Sequence, residues 1–242
     1  MNQFFKRFRE AQRPYCTAIV AAAGSSSRMG GENKLLLSLD GIPVLARTLL
    51  ALMQADRVDE IIVAARAEDI VPYSNLCRTY GITKAVKVIR GGETREHSVL
   101  LAALEAGGKT ELLAVQDGAR PLTTPALINA VIDQAAHCGA AAPAVPVKDT
   151  IKVVRDGVVE RTLDRERLLA VQTPQVFEAD LLKAALQAAL QKGVSLTDDC
   201  MAVELLGKVV YLTEGEESNI KITTPTDLSV AARLLEERGI VR

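Results

Sequence analysis

The sequence predicts an α/β fold: a mostly parallel, twisted sheet with helices on both faces. Three observations lead there. Apolar runs alternate with helical stretches four times between Cys16 and Cys138, the pattern of successive parallel strands joined by crossover helices. The first run is rich in small and β-branched residues without polar alternation, as a strand covered on both faces requires. Three loops that follow strands collect glycines and charges, and in such sheets the ligand site lies at the carboxyl ends of the strands.

The first strand, about 17–23, ends in Gly24, Ser25, Ser26, Ser27, Arg28, Gly30 and Gly31, with Lys34 beyond. Gly24 permits a tight turn and close backbone approach, the serines offer donors, and two cations return to one place. That combination suits a triphosphate. A Walker A loop is excluded because no Lys-Ser or Lys-Thr pair closes it, and a dinucleotide fingerprint because Ser26 occupies the second glycine position.

A helix over 43–55, opened by proline, follows. Strands at 60–65, 84–89 and 111–116 alternate with helices at 68–80 and 98–106. The third strand ends in Gly91-Gly92-Glu93-Thr94-Arg95 and the fourth in Asp117-Gly118-Ala119-Arg120. These loops and the first should converge. A helix at 124–138 and a strand at 140–147 continue the series, and then the pattern changes. Residues 149–164 alternate about Asp156-Gly157, the strongest hairpin signal in the chain. A two-stranded ribbon is marginal in water, so this arm should pack on something: a second subunit, or else its own domain. Residues 173–177 read as extended and 179–191 as a helix. Thr197-Asp198-Asp199 caps a helix to 206. Strands at 209–212 and 219–223 precede a last helix from Pro225 to about 238. The organisation is an N-terminal extension, 1–15, and one domain, 16–242, with the arm at about 148–165.

Of 242 residues, 48% are hydrophobic and the formal net charge is −1, which leaves no electrostatic footprint for nucleic acid. The longest apolar runs fall well short of a membrane span, and the basic, aromatic N-terminus lacks the apolar core of a secretory signal. The four cysteines are far apart without metal-ligand spacing. A cytoplasmic protein with reduced thiols is the expectation.

In order, the chain contains AAAGSSSRM, GGETREHSV, DGARP, PVKDTIK, TLDRERL, AVQTPQVF, LTDD and NIKITTPTDL. Together these resemble the 2-C-methyl-D-erythritol 4-phosphate cytidylyltransferases of the non-mevalonate isoprenoid pathway, from about residue 16 to 230. The ribitol 5-phosphate cytidylyltransferases share most of the motifs. The resemblance implies a Rossmann-like nucleotidyltransferase fold and a homodimer that exchanges the β-arm. It implies transfer from CTP to a polyol phosphate, with Mg²⁺ assistance and pyrophosphate release.

By the same resemblance, Arg28, Lys34 and Lys221 are the catalytic cations. Ala22, Ala23, Gly24, Ser25, Ser26, Gly91, Gly92, Glu93, Ser98, Asp117 and Gly118 border the nucleotide, with Asp117 the residue nearest Mg²⁺. Arg120, Thr150, Arg165, Thr173, Thr197 and Lys221 form the acceptor set, and Arg165 reaches the neighbouring subunit's site. Three positions depart from a common form of the family: Ser26 replaces a glycine, Asn33 a proline, and His97 an acidic residue. Read without the resemblance, Asp117 and Ser98 are also compatible with helix capping, and Lys221 with the solvent face of a strand. A nucleotide sensor would not need every transition-state cation. A nicotinamide-dependent reductase lacks both its glycine fingerprint and a Tyr-x-x-x-Lys pair.

Overall fold

The computed structural model describes residues 13–24 and 33–239. Its centre is one eight-stranded sheet. The strands are β1 (Cys16–Ala22), β4 (Glu60–Ala65), β5 (Ala85–Arg90), β6 (Leu112–Asp117), β7 (Ala140–Pro146), β10 (Leu169–Val171), β11 (Gln175–Glu178) and β12 (Tyr211–Glu214). The order β10-β7-β11-β6-β1-β4-β5, with β12 also on β7, makes a parallel block of β6, β1, β4 and β5. β11 runs antiparallel to both β6 and β7, and β10 antiparallel to β7, with the cis Thr173-Pro174 bond between β10 and β11. β12 lies parallel to β7. The mostly parallel α/β fold is therefore present, with β10 and β11 as its antiparallel insertion.

Successive residues of a strand face opposite sides, and the core divides accordingly. Ala18, Val20, Ile61, Val63 and Ala114 belong to one cluster, and Ile19, Ile62, Ala64, Leu113 and Val115 to the other. The first cluster is covered by α1 (Val44–Gln54), α2 (Ile70–Thr79), α4 (Pro125–Cys138) and α7 (Pro225–Glu237). The second is covered by α3 (Arg95–Glu105), α5 (Ala179–Gln191) and α6 (Asp199–Glu204). At about 1.5–3 kcal/mol for each fully buried Ile, Leu or Phe side chain, these two layers hold the sheet ends in place.

Local signals behave as their chemistry requires. Thr124 accepts from Leu127 N to cap α4, and Gly139 ends that helix in the left-handed region at φ 82°. Thr224 and Asp227 form a capping box on α7. The arm is the hairpin β8 (Lys152–Arg155) and β9 (Val158–Thr162), turned at Asp156 and Gly157 with φ 50° and 78°. A type I′ turn needs positive φ at both positions. A smaller hairpin, β2 (Ser38–Leu39) with β3 (Ile42–Pro43), leads into α1.

Two expectations need correction. Residues 219–223 are not a strand. They lie outside any helix or strand and cross the carboxyl end of the sheet, with Ile222 N donating to Ala119 O at 2.8 Å. Asp199 does not cap α6. Asp198 does, accepting from Met201 N, and Asp199 is fully buried. Residues 1–12, most of the N-terminal extension, lie outside the described residues, as do Ser25, Ser26 and Arg28 of the first loop. Arg13 pairs with Asp59 through both carboxylate oxygens, at 3.0 and 2.6 Å.

Candidate active site

The described ends of the first loop, Gly24 and Lys34, meet the loops after β5 and β6, and 219–223 closes the fourth side. They enclose a cleft of about 410 Å³ lined by residues that include Ala22, Ala23, Gly24, Lys34, Gly92, Glu93, Arg95, Ser98, Asp117, Gly118, Lys221 and Thr223. β1 and β6 pair in register through Ala21 and Asp117, and Gly118 N donates to Ala21 O at 3.1 Å. The ends of the first and fourth predicted strands thus form one floor.

The Gly91-Gly92 loop is fixed from behind by Ser98. Its Oγ accepts from Gly92 N at 3.0 Å and donates to Thr94 O at 2.8 Å, while Thr94 caps α3 by accepting from His97 N. Ser98 is 2% exposed, so its hydroxyl shapes the Gly91-Gly92 loop on the cleft side. Both glycines are required by contact. A Cβ at Gly91 would stand 2.7 Å from Ser98 Oγ and 2.9 Å from Ala23 Cβ, and one at Gly92 would overlap the His97 ring and stand 2.8 Å from its Cβ. For the CTP site that the sequence motifs imply, Gly92→Ala is expected to displace the loop and raise KM for CTP at least about tenfold, a loss of about 1.4 kcal/mol in binding. Steady-state kinetics with CTP varied will measure it.

Asp117 is the electrostatic centre. Lys221 Nζ lies 2.9 Å from Oδ2, Arg120 Nε 3.5 Å from Oδ2, and Arg95 Nε 3.6 Å from Oδ1. Burial alone would raise the carboxyl, but Lys221, Arg95 and Arg120 outweigh it and hold Asp117 below the usual carboxylate range. Burial moves Asp199 the other way, against the pull of Arg95. Arg95 Nη2 meets Asp199 Oδ2 at 2.7 Å, and Asp199 Oδ1 is buried without a hydrogen-bond partner. The cleft wall is thus an alternating series: Lys221 and Arg120 on Asp117, Arg95 between Asp117 and Asp199.

The segment 219–223 is tied down from several sides. Arg120 Nη1 donates to Asn219 O at 2.6 Å, Asn219 Nδ2 to Thr173 O at 3.0 Å, and Lys34 Nζ to Ile222 O at 2.7 Å. Gln172, also buried, donates to Glu216 O at 2.8 Å just upstream. These contacts tie Lys34 to the segment that carries Lys221, and both line the cleft.

The expected residues that are described fall into three groups. Ala22, Ala23, Gly24, Lys34, Gly92, Glu93, Ser98, Asp117, Gly118 and Lys221 line the cleft, with Gly91 and Arg120 directly behind them. Thr173 is buried, its Oγ1 accepting from Asp117 N at 3.1 Å. Thr150, Arg165 and Thr197 do not line the cleft. They are exposed, and Arg165 Nη1 donates to Lys148 O at the base of the arm. Arg95 and Asp199 escaped the sequence reading as a site pair. Arg95 stands three residues after Gly92, at the first position of α3, and that place beside the glycine loop was its signal.

A cation-lined cleft at the carboxyl ends of a mostly parallel sheet, floored by one clamped aspartate, defines a nucleotidyltransferase of the α/β class. The family model described as 2-C-methyl-D-erythritol 4-phosphate cytidylyltransferase matches residues 16–237, and the chain belongs to that family. The Pelotomaculum thermopropionicum 2-C-methyl-D-erythritol 4-phosphate cytidylyltransferase is 46% identical over 224 residues, covering 91% of this chain and 94% of that protein. The Bacillus cytotoxicus protein of the same name is 44% identical, covering 90% and 97%. Among solved structures, the 4-diphosphocytidyl-2C-methyl-D-erythritol synthase of Anaerococcus prevotii superposes with a TM-score of 0.82 at 30% identity, covering 92% and 96%. The 2-C-methyl-D-erythritol 4-phosphate cytidylyltransferase of Thermus thermophilus gives 0.77 at 34%, covering 92% and 99%. Among the described residues no helix is long and apolar enough to cross a membrane.

Proposed function

We propose that this chain transfers CMP from CTP to 2-C-methyl-D-erythritol 4-phosphate in the cleft between Lys34, Asp117 and Lys221. The products are 4-diphosphocytidyl-2-C-methyl-D-erythritol and pyrophosphate. The observation that carries the reading is the convergence of Lys34 and Lys221 on one wall beside Asp117, within a family whose named members perform this transfer.

An oxygen of the acceptor phosphate attacks the α-phosphorus in line. The new P–O bond forms as the bond to the bridging oxygen of the β-phosphate breaks, and the electron pair leaves with pyrophosphate. That acceptor oxygen is already anionic at neutral pH, so no general base is needed. Positioned cations supply most of what the protein can contribute. Lys34, with Arg28 from the first loop, binds the triphosphate. Lys221 and Arg120 receive the acceptor phosphate, and the 2.9 Å contact with Asp117 Oδ2 aims Lys221. The backbone at Gly92 and the Ser98-braced turn border cytosine and ribose.

A Mg²⁺ ion fits this site as a passenger of the triphosphate. Among the described residues no group of three or more His, Cys, Asp or Glu side chains could hold one alone. Asp117 offers one carboxylate in the cleft, its Oδ1 facing Arg95 at a looser 3.6 Å, and Mg²⁺ is commonly held by one or two carboxylates plus substrate phosphates. When bound, the ion neutralises charge on the phosphate oxygens.

We read the protein as a cytoplasmic homodimer joined through the arm. Val154, Val158 and Val159 of the hairpin are 54%, 68% and 54% exposed, and Leu169 of β10 and Tyr211 and Leu212 of β12, on opposite sides of β7, are about half exposed. Thr150, Arg165 and Thr197, away from their own cleft, then serve a composite site with the partner. Mixing Arg165→Ala with Lys34→Ala protein is expected to restore activity that neither has alone, because one site of each mixed dimer is intact. No restoration after subunit exchange would refute the shared site. The transfer itself is tested by ³¹P NMR of protein, CTP, Mg²⁺ and acceptor. Paired diphosphate resonances and free pyrophosphate are expected, and unchanged CTP would refute the reading.

A further inference from the structure

Asn33, the residue before Lys34, is held through both ends of its side-chain amide. Nδ2 donates to Asp69 Oδ1 at 2.9 Å and to the Tyr73 hydroxyl at 3.0 Å. Oδ1 accepts from Leu35 N at 3.1 Å and from the Tyr73 hydroxyl at 3.3 Å. Asp69 is itself fixed by Arg66 Nε on its other oxygen at 2.7 Å. Tyr73 is 0% and Asp69 5% exposed. This polar knot joins the end of the first loop to the start of α2.

Its placement matters more than its strength. The Asn33 carbonyl accepts from Leu36 N at 3.0 Å, and the Leu35 carbonyl accepts from Leu45 N at 2.9 Å. Lys34 is thereby suspended between two pinned residues, and its Nζ reaches Ile222 O beside Lys221. A continuous path of short contacts runs from α2 through Asn33 and Lys34 to the segment that carries the second catalytic cation. A packing role alone would be met by an apolar side chain, without desolvating an amide, a carboxylate and a phenol.

We propose that Asn33 is a positioning residue for CMP transfer. By clamping the exit of the nucleotide loop to Asp69 and Tyr73, it sets Lys34 against the triphosphate. The proposal rests on the reading of Lys34 given above. A displacement of about 1 Å in such a group can cost up to about a hundredfold in rate.

The test is a double-mutant cycle of Asn33→Ala with Lys34→Ala, read as kcat and KM for each substrate. Asn33→Ala alone is expected to lower kcat about 10- to 100-fold, with KM for the acceptor unchanged. In the Lys34→Ala background the same substitution should change kcat little, because the group it positions is gone. Tyr73→Phe, which keeps the packing and removes one hydroxyl, should show the same coupling with a smaller effect. It carries the cycle if Asn33→Ala fails to fold. Equal fold losses in both backgrounds would overturn the proposal and leave the role of Lys34 standing. Wild-type turnover in Lys34→Ala would overturn both.

Discussion

Replacing Lys221 with alanine is expected to lower turnover by about a hundredfold or more, the cost of losing one well-placed electrostatic stabiliser. In the proposed transfer, Lys221 acts on charge that builds as the acceptor phosphate attacks and pyrophosphate departs. Its loss should therefore appear in kcat and kcat/KM together, with KM for CTP little changed. Among the described residues it is also the closest cation to Asp117, at 2.9 Å. Without it the Asp117 carboxyl rises towards its ordinary range. Because its folded value lies below the unfolded one, Asp117 contributes stability that is present above the unfolded carboxylate range and lost as pH falls through the folded value. The variant should lose part of that contribution, so the wild type's acid-unfolding midpoint should lie at lower pH than the variant's. Turnover within about threefold of wild type, a barrier change below about 0.7 kcal/mol, would remove Lys221 from the mechanism.

Arg95→Ala should have the largest effect on stability. It leaves the Asp199 carboxylate fully buried, with Oδ1 already unpartnered and Oδ2 deprived of its 2.7 Å contact. Stripping one partner from a buried ion pair costs about 3–5 kcal/mol. In a chain of this length that lowers Tm on the order of 10 °C. The sign of the pH dependence follows from Asp199, which burial raises above its unfolded value. A raised carboxyl favours the folded state when protonated, so stability falls as pH climbs from the unfolded to the folded value. Arg95→Ala raises that upper limit, and its deficit should grow towards neutral pH. Asp199→Asn in the same background should recover part of the loss. A pH-independent deficit that Asp199→Asn does not relieve would show that the ion pair is not the cause.

Much of this arrangement is legible in the sequence. Strand 60–65 and helix 179–191 are found at their expected bounds, because long apolar periodicities and flanking breakers act locally. The arm was legible from Asp156-Gly157, where two positive φ angles admit few residue types. Residues 219–223 misled because Ile220 and Ile222 alternate with polar neighbours as a strand would. Instead of pairing in the sheet, the segment binds Ala119, Arg120, Thr173 and Lys34, none of them nearby in sequence. Asp199 misled similarly. Its place after Thr197-Asp198 resembles a cap, and its partner Arg95 is 104 residues away. Asn33 could be noted as a departure, yet its knot with Asp69 and Tyr73 exists only once α2 is packed. The convergence of the three loops was legible because the carboxyl ends of parallel strands share one edge.

The most direct test of CMP transfer to methylerythritol phosphate is pyrophosphate release by the purified protein with CTP and Mg²⁺, comparing 2-C-methyl-D-erythritol 4-phosphate with ribitol 5-phosphate. Release dependent on the methylerythritol phosphate, and abolished together with Lys34 and Lys221, is the predicted result. Release with ribitol 5-phosphate instead, or with neither acceptor despite CTP binding, would contradict it.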